Sequence, residues 1–150
     1  MSSASLPAQG ITDPVKIYIL DSSAVLRYLD REAGYTRVHS LIRAHQLGSC
    51  QIMMTSIHWG EVAHRLVRRH GESRLAYWMQ KLLSLEMEIV PATAERAVRS
   101  ARIQARLRIP YADAFGVELA SDSANHVFVT ADYDLKPAAT EVQIQFLPAK

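Results

Sequence analysis

Apolar residues recur along this chain with two periods. Short runs rich in β-branched and other apolar residues, "KIYIL" (16–20), "QIMMT" (51–55), "MEIVP" (87–91), "HVFVT" (126–130) and "VQIQFL" (142–147), predict five strands. Between them the spacing lengthens to that of helices. "DSSAVLRYLD" follows the first run with an Asp/Ser helix start, and a second helix is predicted over Tyr35 to Leu47. Val38, Leu41, Ile42 and His45 share one face of it, and Gly48 ends it. "SIHWGEVAHRLVRRHG" puts Trp59, Val62, Ala63, Leu66 and Val67 on one stripe and closes at Gly71 with Arg68, Arg69 and His70 in its last turn. A helix starting at Glu72 and Ser73 and carrying Leu75, Trp78, Met79, Leu82 and Leu83 makes a hairpin with it. Two more are expected, about Thr93 to Leu107 and about Tyr111 to Ser121, separated by "RIP".

Strands alternating with helices predict an α/β fold, a mainly parallel five-stranded sheet covered on both faces. The 150 residues suit one domain, expected over 16–150, and the Ser-, Pro- and Gly-containing residues 1–15 read as a mobile leader. No apolar run approaches a membrane span and no secretory signal begins the chain, so a soluble cytoplasmic protein is expected. The lone Cys50 fits a reducing compartment and a place in the core. A net charge of +2 does not by itself announce nucleic-acid binding.

Function in such sheets gathers beyond the carboxyl ends of the strands. Asp21 follows the first strand there, Asp132 follows the fourth with Asp134 just beyond, Glu61 lies near the start of the helix after the second, and Asp113 opens the penultimate helix. Each acid has a plain alternative: an N-cap for Asp21, an Arg65 partner for Glu61, the helix dipole for Asp113, a turn for Asp132 and Asp134. As a set, four carboxylates repel one another unless a cation sits among them. Oxygen ligands suit Mg2+ or Mn2+. Asp21, Asp113 and Asp132 are the expected metal ligands, with Asp21 and Asp132 the principal ones, and Glu61 is a ligand or a group just outside. Arg65, Arg68 and Arg69 beyond Glu61, and Arg102, Arg106 and Arg108 before Asp113, are candidate contacts to substrate phosphates or simply a solvated helix face. Tyr28, Tyr111 and Tyr133 are candidates for base stacking, against the commoner role in packing. Trp59 and Trp78 read as core or dimer contacts.

"YILDSSAVLRYL", "TSIHWGEVAHRL", "IPYADAFGVELA" and "VFVTADYDL" together resemble, in order and separation, the four acidic motifs of PIN-domain ribonucleases, most closely the VapC-type toxins of bacterial toxin-antitoxin pairs. The resemblance runs from Lys16 to Leu147. It implies a PIN-like three-layer fold, a pocket of Asp21, Glu61, Asp113 and Asp132 with Ser23 and Thr130 as polar supports, a homodimer, and an antitoxin that blocks the site. Leu135 stands where an aromatic residue often follows the last acidic pair, and Asp134 can share or replace the role of Asp132.

Three functions stay open on sequence: a metal-dependent endoribonuclease toxin, a non-catalytic RNA- or protein-binding module of the same fold, and, with less support, a DNA nuclease or phosphatase. Other site chemistries are excluded. His58 and His64 are six apart, so no zinc-protease HExxH exists, and neither a Walker A motif nor a calcium loop is present.

Overall fold

The computed structural model describes residues 15–150, so the expected leader, apart from Val15, lies outside the described residues. The elements run β1 (Ile17–Leu20), α1 (Ser22–Asp30), α2 (Tyr35–Gln46), β2 (Gln51–Thr55), α3 (Ser56–His70), α4 (Leu75–Leu83), β3 (Glu88–Val90), α5 (Ala94–Leu107), α6 (Tyr111–Ala120), β4 (His126–Thr130) and β5 (Ile144–Phe146). Two 3-10 segments, Glu72–Arg74 and Tyr133–Thr140, complete the chain.

All four strand pairings are parallel, in the order β3-β2-β1-β4-β5. The chain builds outward from β1 to β3, then returns to lay β4 against the other side of β1. The reversal of strand order therefore falls between β1 and β4, where a crevice opens beyond the strand ends. Register holds the two strands level, with Ile19 opposite Phe128 and Leu20 opposite Val129.

The pleat sends neighbouring side chains to opposite faces, and each face has its own core. Leu20 and Val129 pack with Ala24, Val38, Ile42, Val62, Leu66 and Leu82, which places α1 to α4 on one face. Ile19 and Phe128 pack with Ile103, Ala114, Val117, Leu119 and Leu135, which places α5 and α6 on the other. Gly116 marks the tightest approach of α6 to the sheet: a Cβ there would lie 2.4 Å from Phe128 Cε1 and 2.6 Å from Cζ.

Several elements differ in detail from the pattern. The helix expected from Glu72 starts with a 3-10 turn and becomes α-helical only at Leu75. Leu83, placed on the apolar stripe by spacing, is exposed, because α4 offers only Leu82 fully to the core. β5 is shorter than "VQIQFL", since pairing with β4 begins only at Ile144 and ends at Phe146. Glu118 is a buried charge on α6, neutralised by Arg96 Nη1 at 2.8 Å and Arg99 Nε at 2.9 Å, so this ion cluster fastens α5 to α6. Among the described residues, no helix is long and apolar enough to cross a membrane.

Candidate active site

Asp21 leaves β1 in extended conformation (φ −86°, ψ 178°) and caps α1, its Oδ1 accepting the Ala24 N–H at 2.9 Å. The same oxygen accepts the Ser23 hydroxyl at 2.6 Å, and Oδ2 accepts the Thr130 hydroxyl at 2.5 Å across the strand pair. Each hydroxyl then continues the chain of bonds: Ser23 Oγ accepts the Ala131 N–H and Thr130 Oγ1 accepts the Asp132 N–H, both at 2.9 Å. The carboxylate is thus shared between the ends of β1 and β4.

Asp21 is almost fully buried, and that burial pushes its carboxyl above the ordinary range. The charge of His58 and the Ser23, Thr130 and Ala24 hydrogen bonds pull in the opposite direction without cancelling it.

The bridge through Thr130 can be tested directly. Thr130→Val keeps the shape but leaves the Asp132 N–H and one Asp21 oxygen without their partner, which should cost about 2 kcal/mol. The urea midpoint should fall at unchanged m-value; an unaltered midpoint would mean that Thr130 does not carry these bonds.

The other acids stand on three different elements. Glu61 on α3 is half exposed and accepts the Ser22 hydroxyl at 3.0 Å. Asp113 in the first turn of α6 is largely covered. Asp132 spends Oδ1 on the Asp134 N–H at 2.9 Å, capping the 3-10 segment, and Asp134 takes part through that N–H while its side chain is exposed.

Between the acids lies His58, a residue that the motif reading passed over. Its ring is wholly buried, Nδ1 sits 3.0 Å from Thr55 Oγ1, and Nε2 faces Asp113 at 3.7 Å and Glu61 at 3.9 Å without a hydrogen-bond partner. A proton on Nε2 points at the two carboxylates. Sequence did hold a signal for this: His58 and Glu61 are one helical turn apart on the same helix face.

The basic candidates separate into two groups. A cleft of about 610 Å³ adjoins the acids through Ser23 and Asp132, and Arg27, Arg65, Arg69 and Lys150 line it. Within it Arg69 is paired with Asp30 and Lys150 with Glu32. Arg68 lies exposed in the last turn of α3, outside the cleft lining. Arg106 is held by Glu141 through two bonds of 2.9 and 2.7 Å and does not line the cleft. Tyr111 and Tyr133 are partly exposed but lean on Phe115 and Phe146, respectively.

A PIN domain family profile matches residues 18–141. The chain belongs to the PIN domain family. Proteins of similar fold include a chain of VapBC2 from Rickettsia felis bound to a promoter DNA fragment, 16% identical with a TM-score of 0.68 over 88% of this chain and 99% of that one. A chain of DNA-bound VapBC from Salmonella typhimurium is 16% identical with a TM-score of 0.65, covering 89% and 98%. A chain of VapBC-1 from nontypeable Haemophilus influenzae is 15% identical with a TM-score of 0.60, covering 87% and 97%. No curated protein matches the sequence. These likenesses agree with the fold expected from the motifs, an α/β domain with a five-stranded parallel sheet between helices.

PIN-domain nucleases are hydrolases that generally use divalent metal ions. Among the described residues of this PIN domain, no three His, Cys, Asp or Glu side chains converge closely enough to hold an ion unaided. The donor set still fits a hard cation. Mg2+ needs only one or two carboxylates and keeps water in its remaining positions, and the buried Asp21 carboxylate is a hard oxygen donor of the kind such an ion takes.

Proposed function

We propose that this PIN domain is a metal-dependent endoribonuclease and the toxin of a toxin-antitoxin pair, acting as a homodimer in the cytoplasm. The observation that carries the reading is Asp21: a carboxylate buried at the switch between β1 and β4, raised in pKa by that burial, with Asp113 and Glu61 gathered around His58 beside it. A structural cap has no need of such company.

Asp21, Asp113 and Asp132 would hold Mg2+ or Mn2+, which would supply charge neutralisation at the phosphodiester and a more acidic bound water. Ser23 and Thr130 fix both Asp21 oxygens, so the carboxylate presents its free lone pairs in a set direction. Glu61, half exposed, is free to orient water or take its proton, and the His58 N–H steadies Asp113 and Glu61 against each other. Arg65 and Arg27 place positive charge on the cleft where the strand approaches, offsetting the acids' repulsion of RNA. The VapBC composition of the structural relatives supports an antitoxin as the natural occupant of this cleft.

A second reading, a non-catalytic RNA- or protein-binding module, draws on the caps: Asp21 and Asp132 each serve a helix or 3-10 terminus. Partner-free protein incubated with RNA and with DNA of the same sequence, in Mg2+, Mn2+ or chelator, separates the two. Cleavage of RNA that requires the cation is the expected result. Intact RNA in every condition, from folded protein, would move the assignment to the binding module, and preferential DNA cleavage would move it to a DNA nuclease.

A further inference from the structure

His58 is held more firmly than a histidine that only fills a core. Thr55 ends β2 and caps α3, and its Oγ1 accepts the His58 backbone N–H at 3.0 Å while standing 3.0 Å from Nδ1 of the His58 ring. One hydroxyl therefore contacts both the main chain and the side chain of the same residue. The Phe128 ring lies 6.2 Å from the imidazole and tilted by 39°. Gly116 leaves the room that the imidazole fills, since a Cβ there would stand 3.1 Å from His58 Cε1. The ring is wholly buried among these contacts.

Its other nitrogen has no hydrogen-bond partner. A buried nitrogen left unbonded is a cost to the fold, and an apolar side chain of similar size would avoid it. Nε2 faces Asp113 Oδ1 at 3.7 Å and, a little farther, Glu61 Oε1 at 3.9 Å. Glu61 already accepts the Ser22 hydroxyl. Among the described residues no other His, Lys or Arg nitrogen lies within 4.0 Å of Asp113. The Asp21 carboxylate is fixed by three hydrogen bonds, whereas Asp113 has this ring beside it.

We propose that Thr55 and His58 are positioning residues for Asp113: the Thr55 hydroxyl donates to Nδ1, and the proton this leaves on Nε2 is directed at Asp113 Oδ1, holding that carboxylate for the cation. The proposal rests on the reading of Asp113 as a metal ligand. At 3.7 Å the pair is about 0.7 Å beyond hydrogen-bond length, a gap of the kind that tightens when a site takes up its ligand. Neither residue needs to touch the ion. The hydroxyl selects the tautomer of the ring, and the tautomer supplies the donor.

The test is the Mn2+ affinity of the full chain, read without RNA from the electron paramagnetic resonance signal of the free ion. His58→Leu should weaken binding about 10- to 100-fold, and His58→Gln, which can still donate toward Asp113, should recover most of the loss. Thr55→Val keeps the shape without the hydroxyl and should also weaken binding, whereas Thr55→Ser should bind as wild type does. Because Thr55 acts only through the ring, adding Thr55→Val to His58→Leu should weaken binding no further. A histidine that merely packs would give affinities indifferent to whether the side chain at position 58 can donate. Wild-type affinity in His58→Leu or in Thr55→Val overturns the proposal, and if His58→Leu does not fold, the two Thr55 variants decide. Asp113→Asn tells the two levels apart. Weakened binding there beside full binding in His58→Leu keeps Asp113 as a ligand and removes only the positioning. Unchanged binding in Asp113→Asn, or no Mn2+ binding by wild type, removes the ligand and the positioning with it.

Discussion

Asp21→Asn should abolish RNA cleavage, by at least about a thousand-fold, while the protein melts at or above the wild-type temperature near pH 7. The first half follows from electrostatics. An amide cannot neutralise a cation, and losing even a few kcal/mol of transition-state charge stabilisation costs a factor of ten for each 1.36 kcal/mol. The second follows from how the carboxylate is housed. Asn keeps an oxygen for the Ala24 N–H and the Ser23 hydroxyl, so the cap of α1 survives. It gives up the Thr130 bond but no longer buries a charge.

The pH dependence has a definite sign. Burial raises the folded-state pKa of Asp21, so the folded chain binds this proton more readily than the unfolded one. Its contribution is then most favourable below the ordinary carboxylate pKa and is lost as pH climbs from that value through the raised one. Wild type should lose stability relative to Asp21→Asn across that window. A divalent cation should reverse the loss: at a hundredfold excess over Kd it adds about 2.7 kcal/mol, roughly 5 to 10 °C for a chain of 150 residues. The variant should show little of that rise. Melting curves at acid and neutral pH, with and without Mn2+, together with the cleavage rate, give both readouts. Wild-type cleavage by Asp21→Asn would remove Asp21 from the chemistry; an equal metal-induced rise in both proteins would remove it from the metal site.

The other large effect is expected from packing rather than charge. Gly116→Ala adds one carbon, 2.4 Å from Phe128 Cε1 and 3.1 Å from His58 Cε1, at contacts where real carbon atoms keep well beyond 3 Å. Phe128 is fully buried in β4 and His58 fully buried in the first turn of α3, so neither has open space to enter. The helix must be pushed off the sheet. Overpacking of this kind costs about 3 kcal/mol, more than the roughly 1 kcal/mol that alanine gains over glycine in a helix. The net loss of about 2 kcal/mol should lower the melting temperature by about 4 to 8 °C. Asp113 lies one turn earlier on α6 and faces the displaced His58, so cleavage should fall as well, even well below the transition. A neutral or stabilised Gly116→Ala would mean that α6 does not sit this close to β4.

The order of strands and helices was legible because apolar spacing changes sharply between the two periods, and the acids could be placed because strand ends are visible in sequence. What escaped depends on partners distant along the chain. Glu118 reads as a surface acid of "GVELA" until Arg96 and Arg99 of the neighbouring helix are brought to it. Arg106 reads as a free cation until Glu141, 35 residues on, takes its guanidinium. His58 follows the same logic: a single histidine on an apolar helix defaults to core, and only the approach of Asp113 from α6 gives its second nitrogen something to face. The 3-10 segment after Asp132 was hidden by Pro137, which breaks helical spacing without saying what replaces it.

The sharing of Asp21 between β1, α1 and β4 bears on how descendants of this protein would be recognised. A lineage that abandoned catalysis would still gain from an aspartate or asparagine at that position, because capping and tying two strands together is useful to folding alone. Its persistence would say little about whether the proposed cleavage is performed. Glu61 holds the Ser22 hydroxyl and faces His58 at 3.9 Å, with nearly half of its side chain in water. Drift would erase it first once cleavage ceased to matter, so among relatives the residue that reports living chemistry is the exposed acid rather than the buried one.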